Sequence, residues 1–136
     1  MPRKILVVDD ERHIVRLVEI NLQRAGYDVV TAYDGVEALE KVRTEKPNLI
    51  TTCIDMPRMD GYELLGKLQS DPATVDIPVI FLTKRATDAD IFKGWQSGCS
   101  SYLTKPFNPR ELLAFVEVHL GRLDGDGGTA DEIWEA

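Results

Sequence analysis

Ile5-Leu6-Val7-Val8-Asp9-Asp10 runs four consecutive apolar residues, three of them β-branched, straight into two adjacent carboxylates. A short continuous apolar run of this kind reads as a strand buried on both faces, and the acids at its end open it into a polar pocket. Two neighbouring carboxylates repel each other. A hard divalent cation such as Mg2+, which takes carboxylate oxygens and waters, would explain them; the alternative is capping of the helix that follows. A second run, Pro78-Val79-Ile80-Phe81-Leu82, ends at Thr83, and Tyr102-Leu103 ends near Lys105-Pro106. Residues 49–53 form the central strand and stop at Cys53. Ligands collect at the carboxyl ends of parallel strands, so Asp9, Asp10, Cys53, Thr83 and Lys105 are expected to converge on one crevice.

Helical patterns separate the strands. Ile14, Leu17, Val18, Asn21, Leu22 and Ala25 sit at helical spacing, all apolar but Asn21, and stop at Gly26. A strand over residues 27–32 follows. A second helix after Asp34-Gly35 is expected to bury Val36, Leu39 and Val42 and to end before Pro47. Asp60 with Glu63 and Thr87 with Asp90 have the spacing of capping boxes for helices three and four. Asn108-Pro109 supplies an N-cap followed by proline at the first helical position for helix five. Strands alternating with helices give an α/β fold, a parallel sheet covered on both faces with right-handed crossovers.

The chain resembles a response-regulator receiver domain of two-component signalling over about residues 3–121. The resemblance rests on residues 5–10, Ala32-Tyr33-Asp34-Gly35, residues 47–61, residues 77–83 and residues 98–107, in that order and spacing. It implies a five-stranded parallel sheet of order 2-1-3-4-5 flanked by five helices, the flavodoxin-like receiver fold. It also implies roles: Asp10 as a direct Mg2+ ligand, Asp9 through water, and Asp55 through its backbone carbonyl. Thr83 and Lys105 would contact the phosphoryl group, Tyr102 would swing inward as Thr83 moves, and Lys105-Pro106 would be cis. Partners implied are a histidine kinase or another signalling protein, met through the surface of helix four, strand five and helix five.

The chain departs from the family at two positions. The phosphoacceptor, expected six residues after Pro47 and four before Pro57, is Cys53 instead of an aspartate. A thiol supplies the wrong atom for an acyl phosphate, and sulfur is a soft, poor ligand for Mg2+, so no stable acyl phosphate is expected there and Mg2+ should bind more weakly. Asp9 and Asp10 would raise the thiol pKa and Lys105 would lower it, a competition the sequence leaves open. After Thr83, Lys84 replaces the small residue that usually leaves the pocket open; it either gates the pocket against donors, replaces lost metal charge, or reaches outward into solvent. Asp55 as a substitute acceptor is disfavoured by its place at the loop rim. A cysteine-phosphatase reading fails, because Arg58 lies five residues on instead of six and Pro57 removes an amide.

Composition is compatible with one domain: 136 residues, 43% hydrophobic, net charge −7. Asp124, Asp126, Asp131, Glu132 and Glu135 lie in a tail, leaving 16 basic against 18 acidic residues before it, with no basic footprint for nucleic acid. Residues 1–123 are expected to form the receiver and 124–136 a disordered acidic tail, in which Ile133-Trp134 is either a docking motif or a linker fragment. No apolar run reaches membrane-spanning length, so a cytoplasmic protein without membrane contact is expected. The two cysteines should stay reduced, with Cys99 a small buried hydrophobe. Trp95, four residues after Ile91, is expected in the core, and His13 and His119 in solvent. Three functions remain: a non-enzymatic signalling module that works without the usual phosphate, a receiver that still self-phosphorylates through Cys53 or Asp55, and a thiol or soft-metal sensor at Cys53.

Overall fold

A computed structural model describes residues 2–121. Five strands alternate with five helices: β1 (Lys4–Val8), α1 (Arg12–Arg24), β2 (Asp28–Ala32), α2 (Gly35–Glu45), β3 (Leu49–Thr52), α3 (Gly61–Gln69), β4 (Val79–Thr83), α4 (Asp88–Gln96), β5 (Ser101–Thr104) and α5 (Pro109–Leu120). All pairings are parallel, in the order β2-β1-β3-β4-β5. This is the α/β architecture expected, and each strand boundary lies within one residue of its expected position.

Alternation along the central strands divides the core. Ile5, Val7, Leu49, Ile80 and Leu82 pack on one face with Val15, Val18, Leu112 and Val116 from α1 and α5. Leu6, Val8, Ile50, Val79 and Phe81 pack on the other with Val42, Leu64 and Leu68 from α2 and α3. Period-two projection sends neighbours to opposite cores, which is why a continuous apolar run was required of β1 and β4. Ile5, Leu6, Ile50, Ile80 and Phe81 are fully buried, each contributing about 1.5–3 kcal/mol.

The helix starts agree with their sequence signals. Asp60 and Glu63 form the capping box of α3, and Thr87 and Asp90 that of α4. Asn108 caps α5 by accepting from the Arg110 amide, with Pro109 at the first helical position. The helix faces differ in phase. On α1 the buried stripe is Val15, Val18 and Leu22, whereas Leu17 is exposed. On α2 the buried residues include Ala38 and Val42, with Val36 and Leu39 only partly covered. Trp95 is a correction: it is 51% exposed, and Phe92 beside it is 64% exposed. His119 is another, since its ring lies 2.9 Å from the Ser101 hydroxyl and burial lowers its pKa. His13 is exposed, as expected.

Both cysteines are free and buried. No helix among the described residues is long and apolar enough to cross a membrane. The tail at 124–136, with Ile133-Trp134, lies outside the described residues.

Candidate functional site

The carboxyl ends of β1, β3, β4 and β5 meet as the register requires, with Val8 beside Thr52, Thr52 beside Phe81, and Thr83 beside Thr104. Asp9, one residue past β1, is 1% exposed. Its carboxylate accepts from Lys105 Nζ at 2.6 Å and from the Glu11 amide at 3.0 Å. Burial raises the Asp9 pKa against the pull of both donors. Burial also works against the Lys105 charge, but the Asp9 carboxylate overcomes it and holds the lysine pKa above its ordinary value. Asp10 is exposed at the mouth. Lys105-Pro106 is cis, as the resemblance implied.

Cys53 follows the last residue of β3, its amide donating to the Val8 carbonyl at 3.1 Å. The side chain is 4% exposed, with Sγ 3.9 Å from Asp10 Oδ1 and 3.5 Å from the Asp55 carbonyl oxygen. The start of α3 presses on this turn, and a Cβ on Gly61 would meet the Cys53 carbonyl oxygen at 2.5 Å. Burial first, then the Asp9 charge, push the thiol up to about 12; the Asp10 amide and Lys105 pull it down without offsetting them. The competition left open by the sequence therefore favours the neutral thiol.

The loop after β4 is tied to both sides. Thr83 is buried, and its hydroxyl accepts from the Arg85 amide at 3.1 Å. Lys84 reaches outward, 73% exposed, to Glu11 at 3.3 Å, and Glu11 also lies 3.5 Å from Lys105. Arg85 grips Asp55 in a fork, Nε to Oδ2 at 2.9 Å and Nη2 to Oδ1 at 2.6 Å. Arg85 hydrogen bonding lowers the Asp55 pKa. The Tyr102 hydroxyl donates to the Arg85 carbonyl at 2.8 Å, and its ring lies edge-on to Phe81. Gly94 makes room for that ring: a Cβ there would meet it at 2.5 Å. Burial raises the Tyr102 pKa to about 12. Arg58 pairs instead with Asp34, the cap of α2.

Arg85 and Glu11 escaped the sequence reading. A usable signal existed, because β3 and β4 are neighbours and Asp55 and Arg85 lie a few residues beyond their ends with opposite charge.

The fold and this crevice define a class of protein, and comparison with known proteins agrees. A model of the response regulator receiver domain matches residues 5–117, and the chain belongs to that family. It is 46% identical to the alkaline phosphatase synthesis transcriptional regulatory protein PhoP of Bacillus subtilis, over 90% of this chain and 50% of that protein. It is 43% identical to the DNA-binding dual master transcriptional regulator RpaA of Synechocystis, over 91% and 51% respectively. The chain thus spans about half the length of the curated relatives it matches. Its fold superposes on the chemotaxis response regulator CheY4 of Vibrio cholerae with TM-score 0.81 at 34% identity, covering 87% of this chain and 98% of the other. A CheY-like receiver domain protein from Methanospirillum hungatei gives 0.81 at 31%, covering 93% and 100%. The chain is a receiver domain of a two-component response regulator.

Receiver domains bind Mg2+ at an acidic pocket, and here Asp9, Asp10 and Cys53 bring one ligand atom each within 4.8 Å of one another. The carboxylates and the Asp55 carbonyl suit a hard cation. The Cys53 sulfur does not, so the donor set fits Mg2+ incompletely.

Proposed function

We propose that this receiver passes signals through protein contacts without forming the usual aspartyl phosphate, because Cys53 stands at the acceptor position. The observation that carries this reading is the Cys53 thiol, enclosed beside Asp9 and Asp10 and held protonated near neutral pH. A protonated thiol is a poor nucleophile, and phosphoryl transfer relies on positioning and on charge neutralised by the metal. Thr83 and Lys105 keep the phosphoryl-contact positions, and Tyr102 the switch position. Asp9, Asp10 and the Asp55 carbonyl keep the Mg2+ positions, with binding weakened by the loss of one oxygen ligand. Lys84, at the pocket-gate position, is held outward by its ion pair with Glu11 and leaves the mouth open.

The partner is a histidine kinase or another signalling protein, meeting the face built by α4, β5 and α5. Exposed Phe92 and Trp95 on α4 supply the kind of aromatic anchors that such contacts use. In this role the domain is a cytoplasmic module without catalytic turnover of its own, residues 1–123 being the receiver and 124–136 an acidic tail. The expectation of no nucleic-acid contact concerns these 136 residues alone, since the relatives named for DNA binding or transcription are about twice as long. Self-phosphorylation at Asp55 is the second reading, and the fork from Arg85 that engages both carboxylate oxygens argues against it.

Intact mass after exposure to a small phosphodonor with Mg2+ tests the reading. Cys53→Asp should gain a phosphoryl group while the parent chain stays unmodified. An adduct on the parent chain at Cys53 or Asp55 would overturn the proposal.

A further inference from the structure

Ile133-Trp134 is the one large apolar pair in a segment, residues 124–136, that holds five acids and no lysine or arginine. An apolar pair set among carboxylates is complementary to an apolar groove with positive charge beside it. The described residues offer such a groove where α1 meets α5. A cavity of about 90 Å3 opens there between Asn21 and Leu22 of α1 and Arg110, Leu112 and Leu113 of α5. Leu17, one turn before Asn21 and 43% exposed, continues the apolar side along α1. Asn21 is the polar exception in the α1 stripe, and its Nδ2 donates to the Leu17 carbonyl at 2.8 Å, a bond that ties it to α1 and not to α5.

Charge at the rim is positive. Arg110 lines the cavity, and Arg24 follows Asn21 by three residues on the same side of α1; both are exposed. Among the described residues neither makes an ion pair. Glu117, four residues after Leu113, is the acid on that side of α5, and two arginines outweigh it. Phe92 and Trp95 on α4 fit an acidic segment less well, because Asp88 and Asp90 in the first turn of α4 would repel its carboxylates.

Reach agrees. The last described residue is Gly121, the C-cap of α5, and Leu113 and Arg110 lie about 12 and 17 Å back along the helix at about 1.5 Å per residue. Residues 122–132 join Gly121 to Ile133 and include three glycines. A flexible glycine-rich linker of that length has a root-mean-square span of about 17–20 Å. Linker and span therefore match, the condition under which a tethered ligand reaches its highest effective concentration, on the order of millimolar. A contact of only millimolar strength would then be made about half of the time.

We infer that Ile133-Trp134 docks in cis into the groove between α1 and α5, with Asp131, Glu132 and Glu135 facing Arg24 and Arg110. Docked, the segment covers this edge of the receiver against any partner that would use it, and its release uncovers the edge. The contact does not depend on the residue at the acceptor position.

Trp95→Phe leaves Trp134 as the sole tryptophan of the full chain, so fluorescence then reports on the segment alone. In that background acrylamide should quench Trp134 about twofold less than after Leu17→Asp combined with Arg110→Glu. Arg110→Glu alone should give an intermediate value, and Lys93→Glu on α4 should change nothing. Trp134→Ala should shift the amide resonances of Leu17, Asn21 and Leu113 and leave that of Phe92 in place. Circular dichroism confirms that each variant is folded. Equal quenching with and without the groove substitutions would overturn the inference, as would shifts confined to α4. Quenching and sedimentation that change together with protein concentration would place the segment on a second copy and overturn docking in cis.

Discussion

The two ion pairs flanking Cys53 use the same chemistry in opposite surroundings. Lys105 and Asp9 are 8% and 2% exposed at 2.6 Å, whereas Arg85 and Asp55 are 41% and 66% exposed at the same 2.6 Å. Distance is therefore a poor guide to what each pair contributes. A buried charge stripped of its partner remains desolvated, at a cost of about 3–5 kcal/mol, while an exposed pair is worth about 0–1 kcal/mol. The first pair is bound up with stability, and the second with the position of a loop.

That contrast is most sharply broken by Lys105→Met. It leaves Asp9 buried without its counter-ion, and urea denaturation should register a loss of about 3–5 kcal/mol. Adding Asp9→Asn should recover much of the loss. Equal stability of the single variant and the parent would mean that water reaches Asp9 freely.

Gly94→Ala comes next. The new methyl would meet the Tyr102 ring at 2.5 Å, in a contact that cannot persist. Overpacking of this kind costs about 1–3 kcal/mol, and relief by rotation of Tyr102 would break its hydrogen bond to the Arg85 carbonyl. Tyr102 ring resonances should shift, with little change in those of Tyr27 on the far face. An unmoved Tyr102 would uncouple α4 from the loop.

A smaller effect is expected from Asp34, which caps α2 and pairs with Arg58. Asp34→Ala should cost about 1 kcal/mol. The Glu37 amide first, and then Arg58, hold the Asp34 pKa below the ordinary carboxylate value of 3.8. Its stabilisation is therefore present above that value and is lost as pH falls through the lower folded pKa. The parent should lose its advantage over Asp34→Ala in acid denaturation carried below pH 3.8.

The same contrast explains what could be read from the residues alone. Residues 5–8 and 78–82 betray buried strands because no other element needs unbroken apolar runs of that length between turn signals. The caps at Asp60, Thr87 and Asn108 are legible because their chemistry is local. Leu17, Val36 and Trp95 were misread because periodicity shows that a helix has an apolar stripe, but its phase depends on what covers it. Trp95 in particular remains exposed because α4 contributes only Gly94 to full burial. The convergence of Asp9, Asp10, Cys53, Thr83 and Lys105 follows from parallel topology. The state of the thiol does not, since burial and three nearby charges compete at distances that no linear pattern records. Arg85 was overlooked for a related reason, as its partner lies thirty residues away on another loop.

The smallest energetic effect carries the most information about the switch. Asp55→Asn removes the charge that the Arg85 fork grips, yet global stability should fall by less than about 1 kcal/mol. Arg85 also links, through its carbonyl, to Tyr102 and, through its amide, to Thr83. Releasing the guanidinium should therefore loosen a loop whose backbone still holds both groups, giving faster amide exchange at Arg85 and a shifted Tyr102 resonance at nearly unchanged denaturation midpoint. Because the pair is exposed, added salt should move the parent chain toward the variant, the Debye length shrinking to about 3 Å at 1 M. Amide exchange at Arg85 that is indifferent to both the substitution and salt would show that the backbone hydrogen bonds suffice, and that the fork contributes nothing to the loop it spans.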